Sequence, residues 1–233
     1  MILFIGVEYM TEFQQFSDLK LCYFNGRGIA ETSRLMLAFA NAKYEDFRYP
    51  LEIKDWKTYD FVREEFEADK KNGKLSKSMN KLPYLETGGN VICQSKAIER
   101  FLAKKFNMMG TNDIQEASVD AICETIRDFK TDYQTVKNIK GDDADDAMEK
   151  WFNETLPIKL EVLDVIVGNT FSVGNQMSLA DITLFSFITQ FFDNKELAMK
   201  SIENTVNIKS VVENVGQQDS IKSWLSNRPD TPF

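Results

Sequence analysis

The sequence predicts an α/β N-terminal domain followed by an all-α C-terminal domain, and three observations carry that expectation. Up to about residue 106, short runs that alternate at period two are interleaved with stretches of helical spacing, and beyond it every periodic stretch is helical. The first three elements read strand, helix, strand, which is a βαβ unit with its two strands parallel. A Gly-Gly pair between two short apolar runs then adds an antiparallel hairpin. The expected division is an N-terminal extension over 1–18, an α/β domain over 19–106 and a helical domain over 112–233.

The first strand is the run in which Leu19, Leu21 and Tyr23 alternate with Lys20, Cys22 and Phe24. Gly26 and Gly28 break the pattern, and Ile29 to Ala40 reads as mostly helix. A tyrosine hydroxyl is thereby delivered to a strand end beside a helix N-terminus, whose unpaired N–H groups suit an anion. Tyr44 to Tyr49 reads as the second strand. From Asp55 to Lys70, Trp56, Tyr59, Val62 and Phe66 recur at helical spacing, and Asn72-Gly73 supplies a stop. Trp56 comes early enough in that helix to reach a ligand. Lys81-Leu82-Pro83 leads into Tyr84-Leu85-Glu86, with Pro83 expected at the strand start because it lacks a backbone donor. Thr87-Gly88-Gly89-Asn90 turns the chain into Val91-Ile92-Cys93. Gln94-Ser95 precedes an amphipathic helix bearing Ile98, Phe101 and Leu102, and Ser95 has the chemistry of an N-cap.

Phe106 to Thr111 reads as a linker. Asp113 to Val136 is expected as one long helix with Ile114, Ala117, Ala121, Thr125, Phe129 and Val136 along its inner stripe. A second runs from about Asp143 to Val167, with Ala147, Trp151, Ile158 and Leu163 inward and a kink or break at Pro157. Ser178-Leu179-Ala180-Asp181 is an N-terminal capping arrangement ahead of Ile182, Phe185 and Ile188. Asn204 to Val215 and Ser220 to Leu225 supply the last helical segments, ended by Arg228-Pro229.

Composition narrows the chemistry. With 233 residues, 43% of them hydrophobic, the chain can bury a sizeable core, and its formal net charge of −8 argues against a nucleic-acid groove or an anionic membrane as partner. No uninterrupted apolar run approaches the roughly 18 residues of a bilayer span. Met1 to Val7 is apolar but lacks the basic region and cleavage site of a signal peptide. Histidine is absent and the three cysteines, Cys22, Cys93 and Cys123, are widely spaced, so a zinc site and a disulfide scaffold are not expected, and a cytoplasmic location fits. Without histidine, Ser-His-Asp and Cys-His catalysis are excluded. Gly26-Arg27-Gly28 has neither the P-loop nor the dinucleotide-binding spacing. Cys22, beside Tyr23 on a strand, faces away from it and reads as a buried structural thiol.

The run Tyr23-Phe24-Asn25-Gly26-Arg27-Gly28-x-Ala30-Glu31, with Arg34 three residues on, resembles the opening of the sigma-class cytosolic glutathione transferases. Trp56, Lys81-Leu82-Pro83 and Gln94-Ser95 follow in the order of that family, so the resemblance spans nearly the whole chain. It implies a thioredoxin-like glutathione-binding domain, an all-helical second domain, a homodimer, and glutathione as co-substrate with no metal. It further implies that Tyr23 is catalytic, donating its hydroxyl to the glutathione thiolate. Trp56 and Lys81 would contact the glycyl end, and the Leu82 backbone, exposed by a cis Pro83, would pair with the cysteinyl unit. Gln94 and Ser95 would hold the glutamyl end, and Asp128 would reach the glutamyl amine of the partner's glutathione. Phe24 would border a pocket for small hydrophobic electrophiles that also draws on the helix near Thr131 to Thr135. The Ser/Thr-x-x-Asp at the start of the core helix serves folding in the family.

Three departures qualify the implied activity. Ile29 stands where the class has an arginine supporting the tyrosine and thiolate. Facing the sulfur or packing in the core are its two readings. The segment from Trp56 to Lys81 is about 14 residues longer than in close relatives, and Arg127 replaces an acid of the prostaglandin synthase acidic cluster. The expected function is conjugation of glutathione to small hydrophobic electrophiles. The alternatives are a glutathione-dependent isomerase of the prostaglandin D synthase type and a low-activity glutathione-binding or structural protein on the same fold.

Overall fold

The structure, a computed structural model, describes residues 18–55 and 60–231. The expected N-terminal extension therefore lies, but for Asp18, outside the described residues, as do Trp56 and Tyr59. β1 (Leu19–Phe24) and β2 (Tyr44–Tyr49) pair in parallel with Tyr23 opposite Arg48, and α1 (Glu31–Phe39) connects them. The alternation of β1 sends Leu21 into the main core, and Cys22 into a smaller cluster with Tyr49, Phe66, Leu75 and Tyr84 on the opposite face. Burial pushes the Cys22 thiol up to about 12, as befits an inert structural thiol.

The helix expected from Asp55 to Lys70 begins later. β3 (Glu52–Asp55) and β4 (Asp60–Val62) form an antiparallel ladder with Ile53 opposite Phe61, and the helix α2 (Glu64–Lys71) starts only after Arg63. Val62 is thus a strand residue, and among the described residues of the expected stripe only Phe66 is a buried helical side chain. Charge marks the true boundary: Glu64, Glu65 and Glu67 occupy the first turn and Lys70 and Lys71 the last, each complementing the helix dipole. Ahead of them, the β-branched and aromatic Ile53, Phe61 and Val62 favour the pleated ladder.

β5 (Tyr84–Thr87) begins directly after Pro83, as the missing donor requires, and the Leu82-Pro83 bond is cis. The hairpin turns through Gly88 and Gly89 into β6 (Asn90–Cys93), and the sheet order is β2-β1-β5-β6. α3 (Ser95–Lys105) follows. Ser95 is its first helical residue and not its cap: that place belongs to Gln94, at φ 72°, whose side chain makes no capping bond.

The helical half opens with α4 (Asp113–Lys137), capped by the Asn112 side chain on the Gln115 N–H at 3.0 Å. Its inner face is rotated from the expected one. Val119, Ile122, Cys123, Ile126, Phe129 and Tyr133 are buried, whereas Ala117 and Ala121 are exposed and Ile114 is 77% exposed. Alanines match an apolar period but offer little area, so the larger side chains decide which face turns inward. α5 (Asp143–Lys150) and α6 (Leu156–Asp164) are joined by a wide helical turn over Trp151–Thr155 in which the Leu156 N–H reaches the Trp151 carbonyl. The widening sits immediately before Pro157 and is the break expected there. It also shifts the register, so Leu156, Leu160 and Leu163 face inward and Ile158, expected inside, is 60% exposed.

α7 (Leu179–Ser186) is buried along its whole length, packed by α1, α4 and α9 (Val206–Gln217). Its capping box is formed as read: Asp181 accepts from the Ser178 N–H at 2.7 Å and the Ser178 hydroxyl at 2.5 Å. A second wide turn over Phe187–Phe191 continues α7, and α8 (Lys195–Lys200), which periodicity did not reveal, precedes α9. α10 (Asp219–Asn227) returns to the N-terminal half and packs on α1. Among the described residues no helix is long and apolar enough to cross a membrane.

Candidate active site

Tyr23 is the next-to-last residue of β1, and the turn that follows the strand passes over its hydroxyl. Gly28 has φ +42°, and a Cβ there would lie 2.6 Å from the Tyr23 oxygen, so the backbone passes over the phenol at a distance only glycine permits. Burial pushes the Tyr23 pKa up, opposed by the nearby Ile29 backbone N–H and by the Arg34 charge. The phenol therefore stays protonated across the physiological range, a state in which it can donate a hydrogen bond.

The turn is held from beneath by Arg34, a wholly buried cation on α1. It donates to the Gly26 carbonyl at 2.6 Å and to Asp46 Oδ1 at 3.1 Å, and its guanidinium lies 5.9 Å from the Tyr23 ring centre. Asp46 is itself bound by Arg48 at 2.7 Å. One turn before, buried Glu31 approaches Arg34 at 3.5 Å and accepts from Trp224 at 2.9 Å and Arg228 at 2.5 Å. Arg228 also donates to Gln190 at 2.8 Å, so the C-terminal helix is tied through Glu31 to the turn that carries Tyr23. Sequence reasoning placed both Glu31 and Arg34 in a motif and gave neither a role. The available signal was two charges spaced three apart at the start of a helix that is otherwise uncharged.

The turn opens on a cleft of about 680 Å³ between the two halves. Gly28, Ile29, Gln94 and Ser95 line it from the α/β side, and Thr131 and Phe191 from the helical side. Ile29 is 52% exposed, which removes the reading that it packs in the core. Gln94 and Ser95 sit at the N-terminal end of α3, where unpaired N–H groups favour a carboxylate. Lys81 is exposed and Leu82 partly buried beside the buried Pro83. Asp128 is exposed on α4 and does not line this cleft. Phe24, expected to border the electrophile pocket, does not line it either: its ring packs at 5.1 Å against Phe66, on the face of β1 away from the helical half. The strand alternation that puts Cys22 in the smaller cluster puts Phe24 there too, with its ring still meeting that of Tyr23 edge-on, the centres 5.7 Å apart.

A four-stranded thioredoxin-like domain, an all-helical domain and a cleft between them, lined by the Gly28-Ile29 turn that covers Tyr23, define a two-domain transferase architecture. The family model for the glutathione S-transferase N-terminal domain matches residues 19–104, and that for the C-terminal domain matches residues 127–228. The chain is 31% identical over 219 residues to the hematopoietic prostaglandin D synthase of Gallus gallus and 28% identical over 222 residues to glutathione S-transferase 1 of Ascaris suum, each match covering 92% of this chain and 98% of the relative. Among solved structures it is similar to a monomeric glutathione S-transferase of the hookworm Necator americanus, with TM-score 0.75 and 26% identity over 93% of this chain and 100% of that one. It is likewise similar to the enzyme of Ascaris lumbricoides, with TM-score 0.71, 26% identity and the same coverage. The chain belongs to the glutathione S-transferase family.

Proposed function

We propose that this chain conjugates glutathione to small hydrophobic electrophiles, and the observation that carries the reading is the Tyr23 hydroxyl held under the Gly28-Ile29 turn at the cleft. A thiol of pKa about 8.5 is only a few per cent ionised at pH 7, and the thiolate is the nucleophile. Lowering that pKa by two units takes about 2.7 kcal/mol of preferential stabilisation of the thiolate. A hydroxyl donated to a charged sulfur supplies about 1.5–3 kcal/mol, so one well-placed tyrosine provides most of it. With a chloronitrobenzene, the sulfur adds to the carbon bearing chlorine, the C–S bond forms, chloride departs, and the thiol proton goes to solvent.

Within this reading Gln94 and Ser95 hold the glutamyl carboxylate at the α3 N-terminus. The Leu82 backbone pairs with the cysteinyl unit, and Lys81 and Trp56 meet the glycyl end. We assign the chain to the reducing cytosol, which three free, separated cysteines suit. Retention on immobilised glutathione with turnover of a chloronitrobenzene is the expected result. Retention without turnover would favour a binding protein, and neither would remove the reading. Turnover of a prostaglandin endoperoxide without net loss of glutathione would favour the isomerase alternative.

Two predictions arise here. As a homodimer, the protein carries Asp128 toward its partner's glutathione, so Asp128→Ala raises the glutathione KM and leaves the elution volume in size exclusion unchanged. A fully active monomer, the state of the hookworm relative, would rule this out. Ile29→Arg restores the family's cation at an exposed position of the cleft, so the variant melts with the parent. Its charge favours the thiolate and moves the pH midpoint of kcat/KM downward by roughly half a unit. An unmoved profile in a stable variant would show that position 29 does not face the sulfur.

A further inference from the structure

Four cations line the cleft, and three of them are matched by acids. Lys96 is bonded to Glu99 at 2.7 Å, Arg100 to Asp120 at 2.8 Å and to Glu124, and Arg127 to Glu124 at 2.7 Å. Lys130, on the α4 wall, has no carboxylate or hydrogen-bond partner among the described residues. Its ammonium instead lies 5.0 Å from the Phe191 ring centre and 5.9 Å from that of Phe187. Desolvation and repulsion from Lys96 hold its pKa down at about 8, while Glu99 attracts it from α3 but is engaged by Lys96. A half-buried cation set against aromatic rings without a counter-ion is costly unless a ligand brings one. The Phe191 ring offers the same ligand an apolar surface beside the charge.

We propose that Lys130 gives the cleft a preference for electrophiles that carry a carboxylate, which pairs with its ammonium while the reactive carbon lies toward the Tyr23 turn. The inference rests on the conjugation reading and names its substrate class. Unsaturated carbonyl acids fit it. The glutathione sulfur adds to the β-carbon, the C=C π pair moves to the carbonyl oxygen as an enolate, and the α-carbon takes a proton from water, so no oxidant or reductant is needed.

The test compares ethacrynic acid with its methyl ester, which share one reactive enone and differ in the carboxylate. For each, kcat/KM is divided by the uncatalysed rate constant with glutathione at pH 7. The parent protein is expected to favour the acid by roughly tenfold to a hundredfold, the range of one charge-assisted contact. Lys130→Met and Lys130→Gln, two neutral replacements of differing polarity, abolish that preference, and Lys130→Arg keeps most of it. An acid-to-ester ratio unchanged in both neutral variants would overturn the proposal. So would a raised glutathione KM with the ratio intact, which would assign Lys130 to the carboxylates of glutathione itself. Conjugation of both compounds without discrimination by the parent overturns this inference alone, as does conjugation of neither by a protein that turns over a chloronitrobenzene, whereas failure with all three electrophiles overturns the function on which it rests.

Discussion

Tyr23→Phe is expected to lower kcat/KM at pH 7 by about tenfold to a hundredfold while the fold and the retention on immobilised glutathione persist. The size follows from the single hydrogen bond removed, which is worth about 1.5–3 kcal/mol to a charged acceptor. Its pH dependence has a definite sign. A bound thiol whose pKa is depressed supplies thiolate above that pKa, so the parent is active from near neutrality. Without the hydroxyl the thiolate appears only as pH rises through about 8.5, and the two proteins converge above it. Tyr23 adds no falling limb of its own, because burial raises its pKa and keeps it a donor. Steady-state rates with a chloronitrobenzene over pH 6 to 9 check this. A constant ratio of the two rates across that range would mean that the hydroxyl acts on something other than ionisation of the sulfur.

Arg34→Met is expected to have the largest effect on stability. The side chain is wholly buried and holds the Gly26 carbonyl, Asp46 and, at 3.5 Å, Glu31. Removing one partner of a buried charge network costs about 3–5 kcal/mol. The lower end applies here because Asp46 keeps Arg48 and Glu31 keeps Arg228. For a chain of this length that is a fall in melting temperature of roughly 10 °C. Arg34→Lys keeps the charge but not the fork that reaches both the carbonyl and Asp46, and is expected between the two. A thermal melt within a degree of the parent for Arg34→Met would show that the turn over Tyr23 is held by its backbone alone.

The sheet was legible because its determinants are local. The period-two runs of β1 and β2, the proline before β5 and the Gly-Gly turn each specify their own conformation, and βαβ connection rules supply the order. The ladder of β3 and β4 was not, since Val62 and Phe66 also fit a helical period and only pairing between Glu52–Asp55 and Asp60–Val62 separates the two. The same ambiguity rotated α4: a count of apolar positions cannot rank Ala121 against Ile126, whereas the area each buries can. Around the cleft, motif and order named Gln94 and Ser95, which line it, and Tyr23, which lies under the Gly28 turn beside it. The roles of Arg34, Glu31 and Lys130 were not readable, since their importance lies in burial and in the presence or absence of a partner on another element. Lys130 is separated from Phe191 by 61 positions in sequence and by 5.0 Å in space.

The central claim is that the Tyr23 hydroxyl lowers the pKa of glutathione bound in this cleft. It is tested most directly by titrating the ultraviolet absorbance of the bound thiolate, in the absence of any electrophile, in the parent and in Tyr23→Phe. The account predicts a midpoint in the parent about two units below the free value of about 8.5, and a return toward that value in the variant. Equal midpoints in the two proteins would contradict it.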